Sequence, residues 1–351
     1  DVSVFLYQFK SVSCPVMGST QFRMNKYIDL FINFIICMLK NKTKPIFVFD
    51  GPSPIEKRDE QNKRSSRRDG TKEKIHKMEE LLDALNKEEK TLQEGIDEYQ
   101  ELTIKSRDGK IDNNATMEQL KKTIQYKKHK LTNQTTSVSK KDSDLIRELL
   151  DIFGINYIDA KGEADALCSY LRINNIVDVV ISDDNDFLAY GVTSLVSGLD
   201  VNTGSCTSVN YKTILEDLEY DSSQFLDFCI LCGTDYNSNI FRVGPTKSYK
   251  LITDHKNIET IVEQTKYTEK DVSILKHLRV REMYLDFPYI LQEERDCMEK
   301  LNIKDVTVDV INWNELQKYL YTHNCIYNES VVRRELGYTN TKLGYTTGKL
   351  I

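Results

Sequence analysis

The sequence places acidic side chains at the ends of apolar segments, where they could act together. Seven acids have this placement: Asp1, Asp50, Glu163, Asp165, Asp184, Asp186 and Asp235. Ligand sites in open α/β sheets lie at the carboxyl ends of the strands, so these acids are expected to converge on one rim. For any one acid alone, the alternative is a helix N-cap or a turn residue.

Converging carboxylates cannot all stay ionised without counter-charge, so either some are protonated or divalent cations bind them. Mg²⁺ takes oxygen ligands, and Mn²⁺ can substitute for it. Two such ions about 4 Å apart stabilise both the attacking and the leaving oxygen of a phosphodiester displacement. The acidic rim could therefore hold two metal ions suited to a phosphodiester displacement, with protonation of some acids as the alternative.

A basic segment begins seven residues after Asp50. Nine Lys or Arg residues lie between Glu56 and Lys77, diluted by five acids. An isolated run of this kind is typical of a solvated helix with i,i+4 ion pairs. Beside an acidic metal site, the same cations could hold a phosphate backbone during cleavage. Four of them are candidate contacts: Lys57, Arg64, Arg67 and Arg68.

Three short apolar runs predict buried strands, at Lys44–Phe49, Ile155–Ile158 and Val177–Ser182. Helical patterns separate them, which favours an α/β fold with a mostly parallel central sheet flanked by helices. The polar stretch 56–141 lacks strand signals. Its apolar spacing predicts a projecting hairpin of two helices with a loop at Arg107–Ala115. After Asp235 the pattern is helical, including a helix near Trp313–Tyr321.

Composition limits the class of protein. The 351 residues carry a net charge of −6, so a nucleic-acid site must be a local basic patch. The apolar stretch Ile28–Leu39 is too short for a membrane span and predicts a buried helix. Eight scattered cysteines favour a reduced, intracellular environment. Cys229 and Cys232 form a CxxC, but no second pair lies at zinc-site spacing, so burial as small apolar residues is the preferred interpretation.

The ordered motifs resemble the flap endonuclease group of structure-specific 5′ nucleases, of the XPG type. Six segments carry the resemblance: D-x-S-x-x-x-Y-Q-F (1–9), K-P-I-F-V-F-D-G (44–51), K-R-S-x-R-R (63–68), G-I-x-Y-x-D-A-x-x-E-A-D-A (154–166), D-D-x-D-x-L-x-x-G (183–191) and L-C-G-T-D-Y (231–236). A V-G-P-x-K turn follows at 243–247. The resemblance covers the chain to about residue 335, with a longer arm between Asp50 and Glu163 than the group usually has.

The resemblance implies roles for individual residues. The seven acids match the group's metal ligands, with Asp165 standing where Glu is usual. Lys57 and Arg64 match the basic pair at the base of a helical arch, which contacts the scissile phosphate. Tyr7 matches an aromatic that stacks on a nucleotide near the cleavage site; core packing is the alternative for Tyr7.

The V-G-P turn resembles the group's helix–two-turn–helix, which grips duplex phosphates with the help of a monovalent cation, usually K⁺. Gly244, Lys247 and Arg242 are its implied DNA contacts. Arg242 replaces the first glycine of the usual pattern, so either it adds a phosphate contact or the turn is reshaped. The peptide by which many members bind the sliding clamp is not found in the tail.

The resemblance implies a Mg²⁺-dependent nuclease of branched or 5′-flap DNA in replication, repair or recombination. It would act as a monomer, in the nucleus of a eukaryote or at the cytoplasmic replication site of a virus. The rival interpretations are a 5′→3′ exonuclease on DNA or RNA, and a non-catalytic DNA-junction-binding protein. We also expect a hydrophobic strand upstream, ending in Asp1. The expected divisions are the nuclease core (1–55 and 142–235), the helical arch (56–141), the helix–two-turn–helix region (236–280) and C-terminal helices with a polar tail (281–351).

Overall fold

Strand pairing fixes where the acidic segments end. The structure is a computed structural model and describes residues 1–13, 26–103, 111, 115–303 and 306–337. Strand β1 (Ile46–Phe49) pairs in parallel with β2 (Asn156–Asp159), so that Phe49 lies opposite Asp159. Strand β3 (Val180–Ile181) pairs in parallel with β4 (Ser194–Ser197), and β5 (Thr207–Asn210) adds antiparallel to β4. All three predicted strands are present.

The described strands form two sheets rather than one. In the third predicted strand only Val180 and Ile181 have strand geometry, and they bond to β4 instead of β1. The facing edges of β1 and β3 border an apolar groove of about 460 Å³. The predicted mostly parallel pairing therefore holds within each sheet, while the single central sheet is divided in the described residues.

Helices flank both sheets and supply most of the residues between the strands. The first ten helices are α1 (Val2–Ser13), α2 (Lys26–Lys40), α3 (Arg58–Asn86), α4 (Leu92–Thr103), α5 (Met117–Gln134), α6 (Lys140–Phe153), α7 (Ala164–Ile173), α8 (Asp186–Ala189), α9 (Tyr211–Leu218) and α10 (Ser222–Cys232). A short 3-10 helix, Ile55–Lys57, leads into α3.

The chain after Asp235 is helical, as predicted. It contains α11 (Pro245–His255), α12 (Ile258–Gln264), α13 (Glu269–Val272), α14 (His277–Leu285), α15 (Gln292–Glu299), α16 (Trp313–Thr322) and α17 (Glu329–Glu335). Two more 3-10 helices span Ser273–Leu275 and Val308–Val310. Helix α16 matches the helix predicted near Trp313.

Helix α6 shows how local sequence sets the path into β2. Ser139 and Asp142 form a reciprocal capping box at its start. Gly154 ends it with a positive φ of 67°, a conformation that glycine adopts without a steric penalty. A Cβ at this position would lie 2.3 Å from Val310 Cγ1, so the close packing also requires glycine.

Two buried clusters fill the body of the protein outside the arm. One surrounds α7, α8 and α10, and Cys229 packs against it, although both cysteines of the CxxC pair are only partly buried. The other joins α1, α2, β1 and α6, and the predicted buried helix α2 is one of its main components. Phe31, Ile32 and Ile35 of α2 have no exposed surface. Within the described residues, no helix is long and apolar enough to cross a membrane.

The arm between β1 and β2 has three described helices where the sequence predicted two. Helix α3 ends at Asn86 because the chain turns at Glu88, whose φ is +59°. Thr91 then starts α4, and its backbone N–H donates to Glu94. Helices α3, α4 and α5 share a core of their own, which includes Leu81, Tyr99 and Leu120. The predicted loop at 107–115 and the tail at 337–351 lie almost entirely outside the described residues.

Candidate active site

Five of the seven predicted acids follow strands, whereas Asp1 precedes α1 and Asp235 follows α10. Asp50 follows β1, Glu163 is the N-cap of α7 after β2, and Asp186 begins α8 after β3. Asp165 lies in the first turn of α7, and Asp184 stands two residues before Asp186. The parallel register of β1 and β2 brings the first two of these segments to the same edge.

Asp50 is held by the backbone on one side and by α1 on the other. Its Oδ1 accepts the N–H of Ala164 at 2.9 Å, and its Oδ2 accepts the hydroxyl of Ser3 at 2.6 Å. The backbone N–H of Ser3 donates to Asp1 at 2.7 Å, so Ser3 ties two of the predicted acids together. Sequence analysis did not identify Ser3, although it lies two residues after Asp1.

Gly51 allows this close approach. A Cβ at Gly51 would lie 2.2 Å from the carbonyl oxygen of Ala160, and its N–H donates to Gly162 at 2.8 Å. The loop that carries Glu163 is thereby pressed against the end of β1. Any larger residue at position 51 would have to push the two acidic segments apart.

Lys57 reaches into the acidic cluster from the 3-10 helix. Its Nζ lies 2.5 Å from Glu163 Oε1 and 3.0 Å from Asp235 Oδ2. Burial alone would lower the pKa of this ammonium group, but the two carboxylates raise it overall. Lys57 is therefore a firmly charged group at the centre of the rim.

Arg64, on α3, reaches the same cluster. Its Nη2 lies 2.5 Å from Asp235 Oδ1, and its Nε lies 3.3 Å from Glu60. Half of its side chain remains exposed to solvent. Asp235 thus bonds both cations of the predicted basic pair, one through each carboxylate oxygen.

Two tyrosines that sequence analysis missed complete the surroundings of Glu163. The hydroxyl of Tyr236 donates to Glu163 Oε2 at 2.6 Å, and the hydroxyls of Tyr190 and Tyr236 lie 2.8 Å apart. Burial raises the pKa of both phenols, so they stay protonated and can donate. The only available signal was the adjacency of Tyr236 to Asp235.

Crowding perturbs two of the acids. Burial raises the pKa of Asp165 to about 7, with further contributions from Asp184 and Asp50. Burial also raises the pKa of Asp186 to about 7, with Asp184 and Asp235 adding to it. Burial and neighbouring like charges both disfavour the ionised form, which explains the direction of the two shifts.

The donor set suits a hard divalent cation, although the carboxylates do not surround one position. In the described ranges, no three His, Cys, Asp or Glu side chains come close enough to one another to hold a metal ion. Lys57 and Arg64 stand between the acids instead. Asp165 Oδ1 is buried and has no hydrogen-bond partner, which is a cost that an oxygen-binding cation would remove.

The predicted DNA contacts lie on the surface around this cluster. Tyr7 is 43% exposed on α1 and donates to the carbonyl of Gln134 at 3.3 Å, so the core-packing alternative for Tyr7 is wrong. Arg67 and Arg68 are exposed on α3. Lys63, also on α3, donates to Ser238 at 2.6 Å and so connects the arm to the turn before α11.

The turn before α11 has an unusual backbone at Arg242. Its φ is +61°, the left-handed region that glycine adopts most easily. Gly244 is the N-cap of α11, and nothing lies within 4 Å of a Cβ built there. The Arg242 guanidinium lies 5.1 Å from the exposed ring of Phe241, while Lys247 donates to the Arg242 carbonyl at 3.4 Å.

Several carbonyl oxygens of this turn accept hydrogen bonds from donors of the chain itself. Four of them accept hydrogen bonds: Ser238 from Asn237, Ile240 from Val243, Arg242 from Lys247 and Val243 from Asn239. The Asn239 bond to the Val243 carbonyl is 2.8 Å long. These donors compete with a monovalent cation for the carbonyl oxygens, each of which has two lone pairs.

Comparison with known proteins decides the family. The XPG N-terminal domain model matches residues 1–71, and the XPG I-region model matches residues 154–235. Probable RAD2-like endonuclease 076L of Invertebrate iridescent virus 3 is 32% identical over 311 residues, which cover 81% of this chain and 77% of the viral protein. This chain belongs to the XPG family of nucleases. The predicted resemblance is confirmed, and membership makes the chain a hydrolytic nuclease that acts on phosphodiester bonds of DNA.

Other XPG-family relatives align over most of the chain. Flap endonuclease 1-B of Oryza sativa subsp. japonica is 26% identical over 368 residues, covering 100% of this chain and 75% of the plant protein. The catalytic core of Rad2 in complex with DNA substrate superposes with a TM-score of 0.59 at 19% identity, covering 96% of this chain and 90% of that one. Flap endonuclease-1 from Methanococcus jannaschii gives 0.55 at 18% identity, covering 95% and 88%. The α/β fold class is therefore confirmed.

Proposed function

We propose that this chain is a Mg²⁺-dependent, structure-specific 5′ nuclease that cleaves branched or 5′-flap DNA during replication, repair or recombination. One observation carries the proposal: Lys57 and Arg64, at the base of the arm, both bond to acids of the strand-end cluster. Phosphate-binding cations and metal-binding oxygens are thus within one side chain's reach of each other. A phosphodiester placed between them would meet both.

The seven acids would hold two Mg²⁺ ions, or Mn²⁺ in their place. When bound, such ions supply charge stabilisation at the attacking and leaving oxygens. Ser3 and the Ala164 N–H orient Asp50 for this role, and the Tyr236 hydroxyl orients Glu163. These donors hold the acids in place before the ions arrive, which reduces the cost of ordering the site.

Lys57 and Arg64 would act on the scissile phosphate. Each must give up a carboxylate partner to do so, and divalent ions would take over those partners. Positively charged groups aimed at the phosphoryl oxygens stabilise charge that grows in the transition state.

The remaining DNA contacts would bind the substrate on either side of the cleavage site. Exposed Tyr7 offers a stacking face, which is typically worth about 1–3 kcal/mol per base. Arg67 and Arg68 would contact phosphates of the flap. The turn at Arg242 and Gly244, with Lys247, would contact the duplex backbone through the N-terminus of α11.

K⁺ would have to compete with the hydrogen bonds of this turn for its carbonyl oxygens, and the proposal contains no step that uses the ion. The Holliday junction-resolving enzyme GEN1, in complex with product DNA and a Mg²⁺ ion, superposes on this chain with a TM-score of 0.51 at 15% identity. That complex supports Mg²⁺ as the ion to test first. We propose that the chain acts on DNA as a monomer.

The experiment is Mg²⁺-dependent cleavage of an end-labelled 5′ flap, compared with blunt duplex DNA and single-stranded RNA of the same length. We expect a single cut near the base of the flap and little cleavage of the other two. Successive single-nucleotide products from the blunt duplex or the RNA would instead favour the exonuclease. Flap binding without cleavage in either Mg²⁺ or Mn²⁺ would favour the junction-binding protein.

A further inference from the structure

Glu56 is a carboxylate next to Lys57 that takes no part in the acidic cluster. Its side chain is 13% exposed and points toward the C-terminal helices. Oε1 accepts Nε of Arg279 at 2.8 Å, and Oε2 accepts the hydroxyl of Tyr289 at 2.8 Å. Both oxygens of Glu56 are therefore bonded to residues more than 220 positions further along the chain.

One of these bonds ties the short 3-10 helix to α14, through Arg279, and the other ties it to the segment between α14 and α15, through Tyr289. Ile55, the residue before Glu56, is 72% exposed and contributes little apolar anchoring. Pro54 is buried against Tyr289 and Ile290, which fixes the entry to the helix. Glu56 thus supplies the polar half of the attachment, one residue away from Lys57.

Helix α14 is itself anchored on its other side. Arg281 forms two hydrogen bonds with Asp227, of 2.7 and 2.6 Å, and two more with Glu259. Asp227 is buried on α10, and its Oδ2 also accepts the N–H of Ile258 at the start of α12. Bidentate arginine–carboxylate pairs are geometrically specific, so α14 has a fixed orientation relative to α10 and α12.

The hydrogen-bond partners of Glu56 differ from those of the acids in the cluster. Burial would raise the pKa of this carboxyl, but its hydrogen bonds from Tyr289 and Arg279 contribute to lowering it overall. Arg279 also bonds Glu282, and Lys276 pairs with Asp59 on the first turn of α3. Glu56 thus bonds one cation and one neutral phenol, whereas Lys57 bonds two acids of the cluster.

We propose that Glu56 is a positioning residue for Lys57: by bonding Arg279 of α14 and Tyr289 of the segment that follows α14, it fixes the 3-10 helix and so sets where the Lys57 ammonium group can reach. The inference rests on the proposed nuclease function. An error of about 1 Å in the placement of a group that acts in the transition state can cost up to about 100-fold in rate. A residue that only adds stability would not have this effect on the folded enzyme.

The test compares three variants in the full chain: Glu56→Ala, Glu56→Gln and the control Glu282→Gln, which removes the other partner of Arg279. Each is measured for melting temperature, flap-DNA affinity in Ca²⁺ and single-turnover cleavage rate in Mg²⁺. We expect Glu56→Ala to lower the rate by about tenfold or more with affinity within about twofold. Glu56→Gln keeps one acceptor and should give an intermediate rate, and Glu282→Gln should match the wild type.

A double variant adds a test of the partner. If Glu56 acts through Arg279, then Arg279→Ala should lower the rate, and combining it with Glu56→Ala should add less than the sum of the two effects. The proposal is overturned if both Glu56 variants cleave at the wild-type rate, or if their affinity falls as much as their rate. If the wild type itself does not cleave flap DNA, the proposed function fails first, which is a separate outcome.

Discussion

The ammonium nitrogen of Lys57 lies 2.5 Å from Glu163 Oε1, in the middle of the acidic cluster. A cation of the protein thus neutralises oxygens that are proposed to hold divalent ions. The same lysine is proposed to contact the scissile phosphate. Release of Glu163 by Lys57 therefore accompanies metal binding, because both positive charges cannot occupy the same oxygens.

Lys57→Gln should tighten divalent-ion binding while it slows cleavage. Removal of the competing charge frees Glu163 and Asp235, so the affinity for Ca²⁺ is expected to rise by roughly threefold to tenfold. Isothermal titration calorimetry without DNA measures it directly. Lys63→Gln is the matched control, since Lys63 bonds Ser238 outside the cluster. An unchanged Ca²⁺ affinity in Lys57→Gln would contradict the competition.

Asp184→Ala and Asp186→Ala should each abolish cleavage and leave flap binding largely intact. Loss of one ligand disrupts the metal site, whereas loss of a negative charge also reduces repulsion of the phosphates. We expect rates at least about 100-fold lower by gel assay, with binding followed by fluorescence anisotropy. Asp178→Ala, on the surface before β3, should behave like the wild type. A near-normal rate for either cluster variant in Mg²⁺ would disprove the two-metal assignment.

Arg64→Ala and Arg67→Ala separate transition-state contact from general attraction. Arg64 bonds Asp235 in the cluster, whereas Arg67 is 73% exposed and lies 3.7 Å from Glu60. Arg64→Ala should therefore lower the turnover rate much more than the affinity, and Arg67→Ala should mainly reduce the salt dependence of binding. If the two variants have the same kinetic profile, Arg64 has no special role.

The affinity of the wild type for DNA should not depend on which monovalent cation the buffer contains. The side-chain amide of Asn239 donates to the Val243 carbonyl oxygen, and a bound cation would have to compete with this donor. Flap affinity is expected to agree within about twofold in K⁺, Na⁺ and tetramethylammonium chloride at equal ionic strength. Asn239→Ser withdraws the amide donor and should create a preference for K⁺. A strong K⁺ preference in the wild type would show that the Asn239 bond opens to admit the ion.

Protonation of Glu259 in acid should remove the free energy of folding that its pairing with Arg281 contributes. Hydrogen bonds from Arg281 lower the pKa of Glu259 from 4.5 to about 2. Because the folded state favours the ionised form, this stabilisation is complete above about pH 5 and disappears as the pH falls toward 2. Urea unfolding should show a difference between wild type and Glu259→Gln that is constant near neutrality and shrinks below about pH 4.5. A difference that grows on acidification would have the wrong sign.

The sequence predicts the positions of the acids well because they depend on local order. A strand followed at once by an acid, as at Phe49 and Asp50, puts that acid at the sheet edge in any parallel arrangement. Helix α6 is likewise determined locally, because its capping residues and terminal Gly154 all lie within one segment. Local sequence patterns are sufficient wherever a helix or strand and the functional residue beside it are contiguous in the chain.

The supporting contacts depend on distant pairings, which no local pattern contains. Tyr236 meets Glu163 across 73 residues, and Glu56 meets Arg279 across 223. The extra helix of the arm was missed because the continuing apolar spacing hid the turn at Glu88, which has no glycine or proline to mark it. The division into two sheets likewise follows from how β3 pairs, and two residues of strand give too little signal to predict it.

The separate core of α3, α4 and α5 has a consequence for cooperativity. Among the described residues, its eight buried side chains, from Met78 to Ile124, belong to neither cluster of the nuclease body. A unit with its own core can lose and regain its structure while the rest of the protein stays native. Amide hydrogens of Leu81 and Leu120 are therefore expected to exchange with solvent in a common sub-global event, faster than those of Ile32 in α2, and the arm would behave as a foldon distinct from the body.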